Sequence, residues 1–289
     1  MIYNIKPILI KTKTNLHVGS DSNNFDIVDK SVQRDSISNL PIINSSSLKG
    51  ALKDFMYNFI DDKTTTTDKL KEEAYNKIFG SEEKQNGLTK FLDSYLLFLP
   101  LRSDKKPYFH VTSKENLLSC IDFFENLGYK NERFEKAKEV IEKLKDNTVL
   151  DNQKAVVEDV ECEADNTDIK IFLNLLPSSI KVENIAIFSN ENFNDAISHL
   201  PVIARNKLKN GVSENLWYEE MVPRESIFYT AFLEYDNFGN SSKDSYKNGY
   251  KAFWKILTKN LIQVGANASI GFGLCDFMLL DKEESKNEQ

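Results

Sequence analysis

The stretch Val202–Tyr235, VIARNKLKNGVSENLWYEEMVPRESIFYTAFLEY, decides how the rest of the chain reads. Asn210-Gly211 is a dipeptide that accepts the positive φ angles of a tight turn at little cost, so the flanking runs Val202–Leu208 and Leu216–Val222 are expected to pair as a β-hairpin. Ile227–Tyr235, rich in aromatic and β-branched residues, adds a further strand. Downstream, Tyr246–Leu261 reads as a helix, followed by the glycine-rich loop Gly265–Gly273 (GANASIGFG) and a last strand, Leu274–Leu280.

Upstream the same alternation of short strands and helices continues. Strand character is expected at Val156–Val160 and Ile169–Leu176, and in the apolar run Tyr95–Leu101. Lys114–Lys145 reads as two helices, one carried by Leu117, Leu118, Ile121 and Phe124, the other by Phe134, Ala137, Val140, Ile141 and Leu144. At the N-terminal end Ile2–Ile10 suits a strand entering a sheet, and GSDSNNF (Gly19–Phe25) is turn-forming throughout, with Ile27 and Val28 returning to ordered structure. The serines of Asn44–Phe55 are suited to accept hydrogen bonds from the first free N–H groups of a helix. Leu48, Leu52, Phe55 and Phe59 then recur at helical spacing. Thr64–Thr67 marks a loop and Lys69–Phe79 a second helix. Short strands interleaved with helices, without an internal repeat, define an α+β fold with a mainly antiparallel sheet.

Charge distribution matters more than its sum. The net charge of −7 argues against a nucleic-acid binder, yet Met1–Lys53 holds seven basic residues (Lys6, Lys11, Lys13, Lys30, Arg34, Lys49, Lys53) against four acidic ones (Asp21, Asp26, Asp29, Asp35). Acid is concentrated in Asp151–Asp168, with seven carboxylates against the single Lys154. A basic face on an acidic body is compatible with phosphate contacts, and so is a solvated surface of mixed charge. Cys120, Cys162 and Cys275 lie far apart with no CxxC, so neither a disulfide framework nor a zinc site is expected. The longest apolar runs fall well short of the roughly 20 residues a membrane helix needs, and no signal-peptide pattern opens the chain; no membrane partner and a cytoplasmic location are expected.

Chemistry gathers in a few segments. His17-Val-Gly-Ser and, after the polar loop, Ile27-Val-Asp-Lys-Ser-Val-Gln-Arg-Asp35 bring an imidazole, a carboxylate and a guanidinium close to one pliant element. Such a set suits phosphodiester cleavage: a carboxylate can place a divalent metal or take the proton of a ribose 2′-hydroxyl, while Arg and Lys offset charge on phosphate oxygens. Asp21, Asp26 and Asp35 compete with Asp29 on chemistry alone, and His17 is equally suited to a packed, hydrogen-bonded role. In a strand, alternation sends Glu219 and Glu220 to opposite faces, so one of them faces a given site; Trp217 and Tyr218 can stack on bases or fill an interface. The glycine-rich loop follows a helix and precedes a strand, the reverse of a dinucleotide fingerprint, and so allows close approach to phosphate or to another backbone.

Taken together and in this order, LHVGS (from Leu16), IVDKSVQRD (Ile27), LPIINSSSLKGALK (Leu40), KIFG (Lys77), LLFLPLRS (Leu96), FHVTS (Phe109), LPVIAR (Leu200), LWYEEMVPRESIFY (Leu216) and QVGANASIGFG (Gln263) resemble the RAMP superfamily. The nearest resemblance is to the backbone subunit of the type III-B CRISPR (Cmr) effector complex rather than its type III-A counterpart. It implies one modified RRM-like (ferredoxin-like) domain over residues 1–289, with a helical insertion near 60–150, a thumb-like β-hairpin at 202–222 and a polar tail at 281–289. It implies partners as well: guide CRISPR RNA, single-stranded target RNA, further copies of the chain stacked head-to-tail, and other Cmr-complex subunits. The activity implied is endoribonuclease cleavage of the target at regular intervals by attack of the 2′-hydroxyl, with magnesium or manganese as cofactor.

Residue by residue, the resemblance places catalysis on Asp29, with Asp29 also the metal ligand, His17 as the loop histidine and Glu219 in the active region. Lys49, at a helix N-terminus, is matched to guide phosphate, and Arg34, Ser46, Ser47, Arg205, Trp217, Gly265, Asn267 and Gly271 complete the expected RNA-binding set. Asn44, Ala266, Met221 and Phe272 depart from the family pattern, where glycine, glycine, an aromatic and a basic residue are common. Other readings stay open at this level: a non-catalytic guide-RNA-binding scaffold, in which a different protein cuts and cleavage survives Asp29→Asn; the type III-A counterpart; and a precursor-processing endonuclease, which cleaves a hairpin RNA alone.

Overall fold

The structure, a computed structural model, describes residues 3–19, 28–60, 74–81, 86–173, 180–235 and 243–280. Among them the strands are β1 (Tyr3–Thr12), β2 (Ile42–Ile43), β3 (Thr89–Phe91), β4 (Ser94–Leu101), β5 (Phe109–Ser113), β6 (Thr148–Val149), β7 (Ala155–Val157), β8 (Val160–Ala164), β9 (Ile185–Phe188), β10 (Val202–Lys209), β11 (Val212–Glu220), β12 (Ile227–Tyr235), β13 (Ile262–Gln263) and β14 (Leu274–Leu279). The helices are α1 (Ser45–Ile60), α2 (Lys114–Asn126), α3 (Phe134–Glu142), α4 (Lys170–Leu173), α5 (Asn190–Ser198) and α6 (Lys243–Leu257), with a further helical stretch at residues 74–79.

All strands but β10 and β11 join one mixed sheet in the order β13-β14-β1-β12-β4-β5-β9-β6-β8-β7, with β2 on β4 and β3 on β12. Most pairs are antiparallel; β5 with β9 and β6 with β8 run parallel. Because side chains alternate along a strand, each strand feeds both faces. On β1, Ile8 and Ile10 join the core formed with α1, α5 and α6, whereas Ile5 and Leu9 join the core under α2, α3 and α4. The register Leu9 opposite Tyr229 and Ile10 opposite Phe228 carries the same division onto β12. A bulge opposite Ile227–Phe228 leaves Leu97 unpaired in the β12 ladder, and Leu97 and Phe98 consequently both face the second core.

Several local expectations change. Ile169–Leu176, read as a strand, begins as helix α4, with residues 174–176 outside the described range. Asp168 accepts from the Lys170 N–H at 2.9 Å, and Ile169, Phe172 and Leu173 bury at helical spacing, a pattern that a short apolar run does not separate from a strand. Val156–Val160 is not one strand but the turn of the β7–β8 hairpin, made by Glu158 at φ 48° without a glycine to announce it. The serines do not cap α1. Asn44 Oδ1 accepts from Ser46 N at 2.9 Å, as an N-cap side chain just before the helix can, and Asp93 Oδ1 reaches Ser45 N at 2.6 Å from just before β4. Arm β11 spans Val212–Glu220 rather than Leu216–Val222, and α6 starts and stops earlier than Tyr246–Leu261.

Residues 89–113, inside the range expected for a helical insertion, run as β3, β4 and β5 in the main sheet. The loop at 20–27, Thr64–Thr67, the first part of the Lys69–Phe79 helix and the tail 281–289 lie outside the described residues. No helix among the described residues is long and apolar enough to cross a membrane. The β10–β11 hairpin forms a separate two-stranded sheet, turning at Asn210-Gly211 as expected, with Val202, Leu208, Val212, Leu216 and Tyr218 exposed along it.

Candidate active site

The last four residues of β11, Trp217 to Glu220, meet the segment 29–32. Lys30 pairs in parallel with Glu219: Lys30 N–H donates to the Tyr218 carbonyl at 3.1 Å, and Glu220 N–H to the Lys30 carbonyl at 2.8 Å. Asp29, itself exposed, is tethered to the same strand, because its Oδ2 accepts from Tyr218 N–H at 2.7 Å. Lys30 lays its Nζ over the Trp217 ring, 5.3 Å from the centroid. A carboxylate in open solvent is thus held at the root of the hairpin with an ammonium group as its chain neighbour.

Alternation divides the glutamate pair as the sequence suggests. Glu219, 1% exposed, accepts from Asn267 Nδ2 at 2.6 Å and from Arg205 Nε, and its Oε1 lies 3.4 Å from His17 Nε2. Burial alone raises this carboxyl, but the hydrogen bonds from Asn267 and Arg205 and the charges of His17 and Arg205 outweigh it and hold it below the ordinary glutamate range. Glu220 turns the other way, to Val32 N–H at 2.9 Å and Arg34 Nη2 at 2.7 Å.

His17 is buried, and its Nδ1 lies 2.6 Å from the Glu220 carbonyl; since a carbonyl only accepts, Nδ1 carries the proton. The packed, hydrogen-bonded role therefore describes its position. The glycine-rich loop closes over this segment: Ala266 N–H donates to the His17 carbonyl at 2.9 Å, and Asn267, in the left-handed region at φ 65°, aims its amide at Glu219. Phe272, noted above as a departure from a commonly basic position, offers its ring to Arg205 at 4.8 Å.

Seven of the expected residues therefore converge: Asp29, His17, Glu219, Arg205, Trp217, Gly265 and Asn267. Gly271 lies exposed at the outer side of the same loop. Arg34 spends its guanidinium inside the protein, on Glu220, the Asn39 carbonyl at 3.2 Å and the Ile197 carbonyl at 2.8 Å. Ser46, Ser47 and Lys49 sit in the first turns of α1, and no hydrogen bond among the described residues ties them to the Asp29 cluster; the Ser46 hydroxyl donates to Asn44 Oδ1. Sequence reasoning treated Glu220 only as a rival of Glu219 and missed its grip on residues 32–34. Strand alternation was the available signal. Among the described residues, which include Asp29 and Asp35 but not Asp21 or Asp26, no three His, Cys, Asp or Glu side chains are grouped so that they could hold a metal ion.

Residues 9–276 match the RAMP superfamily. The chain belongs to the RAMP superfamily. Among RAMP relatives, the CRISPR system Cmr endoribonuclease Cmr4 of Pyrococcus furiosus is 28% identical over 296 residues, spanning 96% of this chain and 95% of that protein. The CRISPR system CMR subunit Cmr4 of Saccharolobus solfataricus is also 28% identical, over 327 residues, spanning 96% and 97%. A similar RAMP fold occurs in the cryo-EM structure of type III-B Cmr-beta bound to cognate target RNA, at TM-score 0.77 and 25% identity, covering 97% of this chain and 99% of that one. The crystal structure of oligomeric Cmr4 from Pyrococcus furiosus shares the fold at TM-score 0.65 and 22% identity, covering 96% and 98%.

Proposed function

We propose that this chain is the repeating, guide-RNA-binding backbone subunit of a type III-B CRISPR effector complex and that it cuts the bound target RNA through Asp29. The observation that carries the reading is the Asp29 carboxylate, exposed yet fixed by the Tyr218 N–H at the root of a hairpin that stands clear of the main sheet. The full-length likeness to proteins named as Cmr endoribonuclease and CMR subunit supports it. So does the likeness to a chain of a Cmr particle bound to target RNA.

On this reading the domain is a modified RRM-like unit, the hairpin is the thumb that opens the guide–target duplex, and copies associate head-to-tail along the guide beside other subunits. The ribose 2′-oxygen attacks the adjacent phosphorus and the 5′-oxygen leaves, giving a 2′,3′-cyclic phosphate and a 5′-hydroxyl. Asp29 stands where it can orient the 2′-hydroxyl or take its proton, and Lys30 where it can offset phosphate charge. His17 and Glu219, both buried, act by fixing the glycine loop and hairpin around that carboxylate. Asp29, exposed and anionic, would be the protein side chain to hold magnesium or manganese. Such an ion would stabilise charge on the phosphate.

The test is cleavage of a labelled target by the particle assembled with guide RNA. Products at a constant spacing, ending in 2′,3′-cyclic phosphate and abolished by a chelator, are expected. Cleavage that persists in particles carrying Asp29→Asn would leave the chain a scaffold, and cleavage of a precursor hairpin by the isolated chain would make it a processing enzyme.

A further inference from the structure

The contact between residues 29–32 and β11 is short. Two backbone hydrogen bonds hold Lys30 between Tyr218 and Glu220, and a pairing that brief leaves its register weakly specified. A slip by one residue would shift the segment by about 3.3 Å and turn its side chains to the opposite side. Bridges from Val32 to Gly19 and from Arg34 to Pro41 hold the far side of the segment, and against β11 side chains add to what the two backbone bonds specify.

Besides Asp29's own bond to Tyr218 N–H, the side chain that grips the segment from β11 is Glu220, 8% exposed. Its Oε2 accepts from Val32 N–H at 2.9 Å and its Oε1 from Arg34 Nη2 at 2.7 Å, so one carboxylate grips the segment at two points two residues apart. Arg34 is in turn anchored on elements outside the hairpin, through Nη1 to the Ile197 carbonyl at 2.8 Å near the end of α5 and to the Asn39 carbonyl at 3.2 Å. The planar guanidinium suits three acceptors at fixed angles, which an ammonium group does not reproduce. On the far side of the segment Gln33 N–H donates to the Val18 carbonyl at 2.8 Å, closing it into the sheet-like layer.

We infer that Glu220 and Arg34 are positioning residues for target cleavage, locking residues 30–32 in one register along β11 and so setting where the Asp29 carboxylate stands. The inference rests on the reading of Asp29 as the cutting carboxylate. Neither residue touches RNA in this scheme. Each acts through the backbone that carries Asp29, and a displacement of about 1 Å in a reacting group is enough to cost on the order of 100-fold in rate.

The experiment compares particles assembled with Glu220→Gln, Glu220→Ala, Arg34→Lys or Arg34→Ala, using single-turnover cleavage at saturating target, target affinity, thermal melting, and hydrogen exchange of a peptide covering 28–34. The alanine variants are expected to cut about 10- to 100-fold more slowly. Assembly and target affinity stay unchanged, and exchange in 28–34 is faster. Glu220→Gln, which keeps one acceptor, recovers part of the rate, and Arg34→Lys recovers less than half of it. An unchanged cleavage rate, or unchanged exchange in 28–34, overturns the inference. A rate loss that merely follows lower melting or incomplete assembly also overturns it, because that is a folding role. Wild-type cutting by Asp29→Asn would instead remove the cleavage assignment, while the exchange measurement still decides whether the lock exists.

Discussion

Gly265 passes so close to His17 that a Cβ built on it would sit 2.4 Å from the His17 carbonyl oxygen. The same carbonyl accepts the Ala266 N–H, so the glycine loop and the His17 segment are joined backbone to backbone. Gly271 shares the positive φ of Gly265, +79° in both, but a Cβ there meets nothing within 4 Å. Gly271→Ala is therefore expected to cost only the left-handed backbone penalty, about 1–2 kcal/mol. Gly265→Ala adds a clash worth about 1–3 kcal/mol more. Denaturant unfolding of the two variants reads the difference, and equal losses would mean that the loop does not pack against His17.

Glu219 joins Arg205 on the hairpin to Asn267 on the glycine loop, with His17 beside them. Glu219→Ala leaves the Arg205 charge and the Asn267 amide without their acceptor, and a loss of roughly 3 kcal/mol in unfolding free energy is expected. Because the folded-state carboxyl is held below its ordinary value, its contribution is present at neutral pH and disappears as pH falls from the ordinary glutamate value through the lower folded one. Glu219→Gln should flatten that acid limb in a pH series of melting temperatures.

His110 offers a second titration, away from the Asp29 cluster. Burial, and then the positive charge of Lys11, push it down to about 4 from an ordinary 6.5, and its Nε2 donates to the Glu225 carbonyl at 3.1 Å while Nδ1 meets no hydrogen-bond partner among the described residues. The unfolded chain thus binds more protons than the folded one between these values. Stability should be complete above pH 6.5 and fall as pH drops toward 4, by a total on the order of 3 kcal/mol. His110→Phe should abolish this limb; an unchanged slope would show that another group carries it.

Strands β1, β4, β12 and β14 and helices α1, α2, α3 and α6 were legible from their apolar residues, and Asn210-Gly211 is unambiguous turn chemistry, whereas β2, β3, β5, β6, β9, β13 and α5 were not read from the sequence. The β7–β8 turn was hidden because Glu158 adopts a positive φ that its residue type does not advertise. Helix α4 was hidden because the short apolar run Ile171–Leu173, with Ile169 before it, fits either period. At the site, the aspartate and the glutamate pair were visible as chemistry, but their division of labour was not. That Glu219 is buried under Arg205 and Asn267, 14 and 48 residues away, while Glu220 grips Val32 and Arg34, 188 and 186 residues away, depends on contacts between separate segments. Strand alternation alone could say that the two differ, not which partner each finds.

The account turns on one exposed side chain beside one strand. Its most direct measurement is the rate of target cleavage by particles assembled with Asp29→Asn, which keeps the size of the side chain and an oxygen for the Tyr218 N–H but removes the charge. Cleavage reduced by about 10³-fold or more, the scale of a lost acid–base or charge-stabilising group, with guide loading and target affinity unchanged, is the predicted result. Cutting at the wild-type rate and spacing would contradict it.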